Sequence, residues 1–209
     1  MAKGDDHVKI AVFGSTGGNG RLVLADGVRR GHEVTAFARH AGALADVGGL
    51  AEVIEGDGRD RATVEKAITG QAAVIVTVSG RGEADVVAGI ARTVTGAMES
   101  LGVSRLVAAS AYGMVATRPY VVAGLVRRIF AQGFADQAAA DRIVASSELD
   151  WTILRGTRLT ARPAQGQARR STGLFTKGPY SLARSAFAAA LVDLAEDRTA
   201  ARQIVNITG

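Results

Sequence analysis

Short apolar runs alternate with amphipathic stretches along the first half of the chain. The runs have the length and composition of buried parallel strands, and they are Lys9–Phe13, His32–Ala38, Ala51–Ile54, Ala73–Val78 and Arg105–Ala109. The stretches between them carry apolar residues at helical spacing, with a glycine soon after the longer ones, and they are Gly20–Arg30, Ala41–Val47, Asp60–Ile68 and Asp85–Leu101. This alternation predicts right-handed crossovers and a parallel sheet with helices on both faces.

The alternation is less regular in the last third of the chain. Tyr120–Ser147 is predicted to be mostly helical, Trp151–Leu154 to be a sixth strand, Arg184–Leu194 a helix and Gln203–Thr208 a final strand. Ala161–Gly178 is polar and rich in arginine, which predicts an irregular excursion. No repeat or low-complexity linker interrupts the 209 residues. We therefore expect an α/β fold with a doubly wound parallel sheet, as one domain over residues 1–209 with a small C-terminal substrate-side region.

Composition narrows the possible chemistry. Hydrophobic residues make up 47% of the chain, which argues against wholesale disorder. The sequence has no cysteine, so a disulfide framework, a thiolate nucleophile and a cysteine zinc site are all excluded. Its three histidines show no metal-binding spacing, and we expect no metal site. Without a signal-like start or a run that could span a bilayer, we expect a cytoplasmic protein that does not engage a membrane.

The net positive charge of the chain has two possible interpretations. A net charge of +5 and a pI near 10.1 are compatible with nucleic-acid binding. However, aromatic residues make up only 5% and no basic stripe alternates with them, which favours an arginine-rich protein without a nucleic-acid partner. A small anionic cofactor or substrate needs only two or three of these arginines. The pattern indicates a small-molecule ligand and leaves the oligomeric state open.

A glycine-rich turn follows the first predicted strand and opens the first predicted helix. Its residues are Gly14, Ser15, Thr16, Gly17, Gly18, Asn19 and Gly20, with the pattern G-x-x-G-x-x-G. Such a turn needs its first glycine to bend off the strand, its second to admit a pyrophosphate and its third to pack the helix closely. Free amides at the helix start then face the phosphates, and Thr16 and Asn19 can add side-chain donors. The alternative is a tight turn without a ligand, but the strand and helix around it favour a nucleotide.

The end of the second strand distinguishes between two nicotinamide cofactors. An acidic residue there would bind the ribose 2′-hydroxyl of NAD, whereas an arginine accommodates the 2′-phosphate of NADP. This strand ends Ala38-Arg39-His40, with no carboxylate. Arg39 therefore predicts NADP(H), although an ordinary surface arginine is the alternative.

Several segments together resemble a known family. They are IAVFGSTGGNG (10–20), EVTAFAR (33–39), EGDGRD (55–60), AVIVTVSGR (73–81), GVSRLVAASAYG (102–113), ADQAAADRIVASSELDWTILR (135–155) and IVNITG (204–209). With these segments the chain resembles the atypical short-chain dehydrogenase/reductase family of NAD(P)H-binding proteins. That group includes flavin and biliverdin-IXβ reductases and NmrA-like redox sensors. The similarity extends over nearly the whole chain.

The resemblance implies cofactor contacts beyond the glycine-rich turn. Asp57 and the amide of Gly58 would meet the adenine, with a helix N-cap as the alternative for Asp57. The remaining implied contacts follow the later strands, with Ser79, Gly80 and Arg81 at the ribose and pyrophosphate, Ser110 and Ala111 at the nicotinamide ribose, and Gly156 and Thr157 at the carboxamide. Arg81 could instead hold an anionic substrate.

One departure from the family concerns the proton donor. Short-chain reductases use a Tyr-x-x-x-Lys pair, in which the lysine lowers the tyrosine pKa. Here no lysine lies between positions 67 and 176, and Gln137 stands where relatives carry lysine or histidine. Tyr112, with Ser110 beside it, is the candidate catalytic residue next to the nicotinamide. The alternative for Tyr112 is an aromatic side chain that packs under the cofactor.

These features predict an NADPH-dependent reductase that transfers hydride to a conjugated small molecule, such as a flavin, a quinone or an enone. Such acceptors need little acid from the protein, because solvent can supply the proton. Two alternatives stay open. One is a redox sensor that binds NADP(H) without catalysis, and the other is an isomerase or dehydratase on the same fold.

Overall fold

The computed structural model describes residues 7–80, 84–117, 120–164, 166–175 and 177–209. Strands and helices alternate through most of this length. The elements are β1 (Lys9–Phe13), α1 (Gly18–Arg29), β2 (Glu33–Ala38), β3 (Glu52–Glu55), α2 (Arg61–Ile68), β4 (Ala73–Val76), α3 (Val86–Leu101), β5 (Arg105–Ala111), α4 (Tyr120–Ile129), α5 (Ala131–Ser146), β6 (Asp150–Gly156), β7 (Arg158–Thr160), β8 (Arg169–Ser171), β9 (Ser181–Ala183), α6 (Arg184–Glu196) and β10 (Gln203–Thr208), with 3₁₀ turns at Ala41–Leu44 and Tyr112–Met114.

The main sheet has the order β3-β2-β1-β4-β5-β6-β10-β8. All neighbours are parallel except β8, which pairs antiparallel with β10 at one edge. β7 and β9 form a separate parallel pair. The strand order reverses direction between β1 and β4, and ligands of doubly wound sheets bind outside the carboxyl ends of the strands at such a point. The predicted fold class, a doubly wound parallel sheet, is confirmed.

The sheet is buried on both faces because side chains alternate along each strand. From β1, Ile10 and Val12 join a core with α1 and α6, whereas Ala11 and Phe13 join a second core with α2, α3 and α5. This two-sided burial accounts for the continuous apolar runs in the sequence.

The elements differ from the predicted ones mainly in the last third of the chain. The segment predicted as one helical region is two helices, α4 and α5, divided at Phe130. The predicted irregular excursion at 161–178 contains β8, which a pattern of three polar residues does not reveal. β5 and β6 extend to Ala111 and Gly156, so Ser110, Ala111 and Gly156 are the last members of these strands and Thr157 directly follows β6.

Candidate functional site

A cleft opens at the carboxyl ends of β1, β2, β3 and β4, at the reversal point of the sheet. Its floor includes Phe13 and Phe37, whose ring centroids lie 4.7 Å apart. The cleft gathers many of the residues singled out in the sequence: Gly14, Thr16, Gly17, Arg39, Asp57, Gly58, Ser79 and Gly80. Three loops and the start of α1 thus meet at one end of the sheet.

Two glycines of the turn are required by close backbone packing. Gly14 has φ +80°, and a Cβ there would lie 2.8 Å from the Thr77 carbonyl carbon. A Cβ at Gly20 would overlap the Gly14 carbonyl oxygen and lie 2.7 Å from Ser15 Cα. Gly20 is predicted to let the helix pack closely. In the structure, the close contact at Gly20 is between the start of α1 and the glycine-rich turn itself.

Gly17 differs from these two, because its surroundings are open. Its amide donates to the Gly14 carbonyl at 3.1 Å, and the nearest atom to a Cβ there would be that same oxygen, at 3.3 Å. Among the described residues, the amides of Gly18, Asn19 and Gly20 have no hydrogen-bond partner, as the first turn of a helix leaves them. These donors and the helix dipole form an anion-binding end beside the cleft.

The side chain of Ser15 stabilises the glycine-rich turn. The residue is fully buried, and its hydroxyl donates to the Phe37 carbonyl at 2.6 Å. This bond ties the glycine-rich turn to β2, and Ser15, which has no exposed surface, is not among the residues that line the cleft. Neighbouring Asn19 accepts from the guanidinium of Arg184, at 3.2 Å from Nη1 to Oδ1.

Charged residues border the cleft at the ends of β2 and β3. Arg39 lines it and has no hydrogen-bond or ion-pair partner within the described residues. Asp57 accepts from the Arg59 amide and side chain, with 2.8 Å between Oδ2 and Nη2. Hydrogen bonds from the Arg59 side chain and amide lower the pKa of Asp57 to about 2, so this carboxyl is ionised at neutral pH. Asp60, not Asp57, caps α2, by accepting from the Ala62 amide at 3.2 Å.

The loop after β4 continues the wall of the cleft. Ser79 and Gly80 line it together with Val86 and Ile90 from α3. Gly58 lies against Ile90, since a Cβ at position 58 would be 3.0 Å from the Cγ1 of that side chain. Arg81, the third predicted residue of the loop, lies outside the described residues.

A polar cluster occupies the ends of β5 and β6, at the predicted nicotinamide position. Its centre is Asp141 of α5, which is 5% exposed. Asp141 accepts from Ser110 Oγ at 2.9 Å, from Arg155 Nη2 at 3.0 Å and from Gln137 Nε2 at 3.2 Å. Because a hydroxyl has one proton and Ser110 gives it to Asp141, this hydroxyl can only accept from a ligand. Gln137 also donates to the Ala109 carbonyl at 3.3 Å.

Tyr112 lies beyond the end of β5 and is 3% exposed. Its hydroxyl oxygen accepts from the Phe175 amide at 2.7 Å, and the two rings are 5.4 Å apart. The Arg169 guanidinium lies over the Phe175 ring, 5.7 Å from its centroid. Tyr112 therefore holds the excursion between β7 and β9 against the sheet.

The two residues predicted to meet the carboxamide are engaged with the protein. A Cβ at Gly156 would lie 2.8 Å from the Phe187 ring, so glycine is needed for α6 to approach. Thr157 is 5% exposed, its amide donates to the Ile207 carbonyl and its hydroxyl to Thr208 Oγ1. In the structure Thr157 joins β6 to β10.

Three charged side chains of the site are not among the residues predicted from the sequence: Arg59, Asp141 and Arg184. Arg59 stands two residues after Asp57, a spacing that allows a local ion pair. Asp141 lies one helical turn after Gln137, so the two share a face. Nothing local marks Arg184, because its neighbours Gly18 and Asn19 are distant in sequence and only the packing of α6 on α1 brings it there.

The fold and the cleft define a dinucleotide-binding protein of the Rossmann type. A family profile described as NAD(P)H-binding matches residues 14–198, and the chain belongs to this family. None of the helices in the described part of the chain combines the length and hydrophobicity that crossing a bilayer requires.

Several solved structures that are distant in sequence have the same fold. A short-chain dehydrogenase/reductase from Veillonella parvula, solved in complex with NADP, is 18% identical, with a TM-score of 0.82 over 97% of this chain and 95% of that one. The anaerobillin reductase ChuY from Escherichia coli is 25% identical, with a TM-score of 0.81 over 96% of each chain. The oxidoreductase YlbE from Lactococcus lactis is 19% identical, with a TM-score of 0.83 over 96% of this chain and 90% of that one. The chain thus has the short-chain reductase fold over nearly its full length.

Proposed function

We propose that the protein is an NADPH-dependent reductase of a conjugated small molecule, such as a flavin, a quinone or an enone. In this proposal residues 1–209 form one nucleotide-binding domain, in which the region after β6 borders the acceptor. The observation that carries the proposal is the contrast between open donors around the glycine-rich turn and occupied polar groups at the ends of β5 and β6. The first suits a polyanionic cofactor, and the second suits an acceptor that needs no acid from the protein.

NADPH is the preferred cofactor in this proposal because Arg39 lines the cleft and, within the described residues, makes no hydrogen bond or ion pair. An arginine at the end of β2 accommodates the 2′-phosphate, which NAD lacks. The solved complex of the V. parvula reductase with NADP agrees with this choice. Gly18, Asn19 and Gly20 would supply amides to the pyrophosphate, and Arg39 would bind the 2′-phosphate.

At the other end of the site, bound NADPH would supply a hydride, and the protein would hold the cofactor and the acceptor in position. Ser110 donates to Asp141 and would accept from the cofactor's nicotinamide or ribose. Tyr112 is 3% exposed and its hydroxyl donates to the Phe175 carbonyl at 3.4 Å, so it is poorly placed to give a proton to an acceptor. The acceptor would take the hydride at one atom and its proton from water, leaving NADP⁺ and the reduced product.

The decisive measurement is the loss of NADPH absorbance when riboflavin, FMN, a naphthoquinone or a cyclic enone is added. We expect turnover with at least one of them and a slower rate with NADH. The Gly17→Val variant is the matched control, since a contaminating reductase would remain active in that preparation. If NADPH binds tightly and no acceptor is reduced, the proposal of catalysis is wrong.

A non-catalytic NADP(H)-binding regulator is the second candidate. The hydroxyls of Ser110 and Tyr112 favour it, because each donates its proton to a protein acceptor, Ser110 to Asp141 and Tyr112 to the Phe175 carbonyl. A regulator would discriminate NADPH from NADP⁺ in binding, whereas a reductase only needs to bind both. Calorimetry with the two redox forms distinguishes these cases.

A further inference from the structure

The side chain of Arg184 lies over the first turn of α1. A Cβ at Gly18 would be 3.6 Å from Arg184 Cδ and 3.7 Å from Nη1, and Nη1 donates to Asn19 Oδ1 at 3.2 Å. Arg184 is itself the first residue of α6. The first and last helices of the chain therefore begin within the reach of one arginine side chain.

The positive charge of Arg184 is unusual at the N-termini of two helices. A helix N-terminus carries about half a positive charge, so anions are stabilising there and cations are not. Neither α1 nor α6 has an acidic residue in its first turn. Within the described part of the chain, the only hydrogen bond of the Arg184 guanidinium goes to the neutral Asn19 amide oxygen, and it has no ion pair. Among the described residues, two helix N-termini and a guanidinium thus lie together with no acidic side chain in either first turn and no ion pair.

A structural arginine in this protein has a different environment. Arg105 is fully buried, and its guanidinium donates to the backbone carbonyls of Leu194, Asp150 and Asp197. Those carbonyls include the end of α6, where the helix dipole favours a cation. Arg184 is partly exposed and lies at the opposite pole of the same helix. A purely structural role accounts for Arg105 and leaves the position of Arg184 unexplained.

We propose that Arg184 binds the diphosphate of the dinucleotide over the first turn of α1. The inference rests on dinucleotide binding at the glycine-rich turn, as in the proposed function. The diphosphate would lie between the free amides of α1 and the Arg184 fork, and its charge would compensate both helix N-termini. Because Arg184 follows β9 directly, cofactor binding would also hold the C-terminal region against α1.

The test compares ligands with and without a diphosphate. Calorimetry of Arg184→Ala should show affinity lower by about 10- to 100-fold for NADPH, NADH and ADP-ribose alike, as expected for a lost charge-assisted contact. Competition by 2′-AMP, which has no diphosphate, should be unchanged within about twofold. Arg39→Ala should give the reverse pattern: the affinity for 2′-AMP and NADPH should fall, and the affinity for ADP-ribose should stay the same. Arg184→Gln keeps a donor for Asn19 without the charge, and it should lose affinity in the same pattern.

Arg170→Ala is the matched control. It also removes one positive charge from the C-terminal region, where Arg170 pairs with exposed Asp193 at 2.6 Å. If Arg184→Ala folds and binds NADPH as the parent does, or if Arg170→Ala causes an equal loss, the inference is overturned while the proposed function stands. If Arg184→Ala does not fold, Arg184→Gln decides by the same criterion. A parent protein that binds no dinucleotide overturns both.

Discussion

The two sides of the site differ in how their polar groups are used. On the nucleotide side, the amides of Gly18 and Asn19 and the guanidinium of Arg39 make no hydrogen bond or ion pair within the described residues. On the acceptor side, Ser110 is bonded to Asp141 and Tyr112 to Phe175. The nucleotide side is thus a set of open donors, whereas the acceptor side is a closed network.

This difference has a chemical meaning. Donors that lack partners bind an anion at little cost, because no protein contact has to break first. A closed network fixes side chains in place and exchanges protons poorly. On the nucleotide side, the loss of a single group should therefore lower the affinity for the cofactor. On the acceptor side, the loss of a single group should lower the stability of the protein more than it lowers the rate of proton transfer.

We expect the largest effects from substitutions at two glycines of the glycine-rich turn, one on stability and the other on NADPH affinity. Gly20→Ala would place a methyl group against the Gly14 carbonyl, and we expect it to lower the free energy of unfolding by more than about 3 kcal/mol, beyond ordinary overpacking. Gly17→Val should fold normally but lower NADPH affinity on the order of 100-fold or more, since several charge-assisted contacts of about 1.5–3 kcal/mol would be blocked.

Urea denaturation and calorimetry measure these two quantities. Gly42→Ala serves as the control, because a Cβ there meets nothing within 4 Å. Unchanged NADPH affinity in a folded Gly17→Val protein would refute the assignment of this turn to the phosphates.

Arg39→Ala should give the next largest effect. We expect NADPH affinity to fall by about 10- to 100-fold and NADH affinity to stay nearly constant, because a charge-assisted phosphate contact contributes about 1.5–3 kcal/mol. Titrations with both cofactors measure the ratio. A parent protein with equal affinity for NADPH and NADH would contradict the prediction before any variant is made.

Tyr112→Phe tests the closed side of the comparison. If Tyr112 mainly holds the excursion through Phe175, turnover should fall by about tenfold or less, and stability should fall by about 1 kcal/mol as the Phe175 amide loses its acceptor. If Tyr112 is the general acid, turnover should instead fall by roughly 10²- to 10⁴-fold, with loss of its pH dependence. Rates across a pH series and a denaturation curve distinguish the two roles.

Gln137→Ala should have the smallest effect. An amide transfers no proton at neutral pH, so we expect turnover to remain within about threefold of the parent rate. Its hydrogen bonds to Asp141 and the Ala109 carbonyl would be lost. Asp141 would keep its hydrogen bonds from Ser110 and Arg155. A folded variant that binds cofactor and acceptor but is inactive would mean that Gln137 orients the acceptor.

Much of the nucleotide side follows from local sequence. The apolar run ending at Phe13, the glycine spacing from Gly14 to Gly20 and the arginine after Ala38 are all short-range patterns. Each has a local physical cause, since a turn requires positive φ or close backbone approach and a helix start leaves free amides. These local patterns were enough to predict the doubly wound sheet and to select the glycine-rich turn and Arg39, which line the cleft, whereas Asp57, Gly58, Ser79 and Gly80 followed from the family resemblance.

The acceptor side depended on tertiary structure. Ser110, Asp141 and Arg155 belong to three different elements, and their cluster exists because β5 and β6 pair in a register that aligns Ser110 with Arg155 beneath α5. Tyr112 received its partner from an excursion whose polar sequence predicts no structure. Arg184 reached Gly18 only because the last helix packs beside the first. Contacts between residues far apart in sequence depend on how whole elements dock, and no local pattern of hydrophobic and polar residues encodes which side chains then meet.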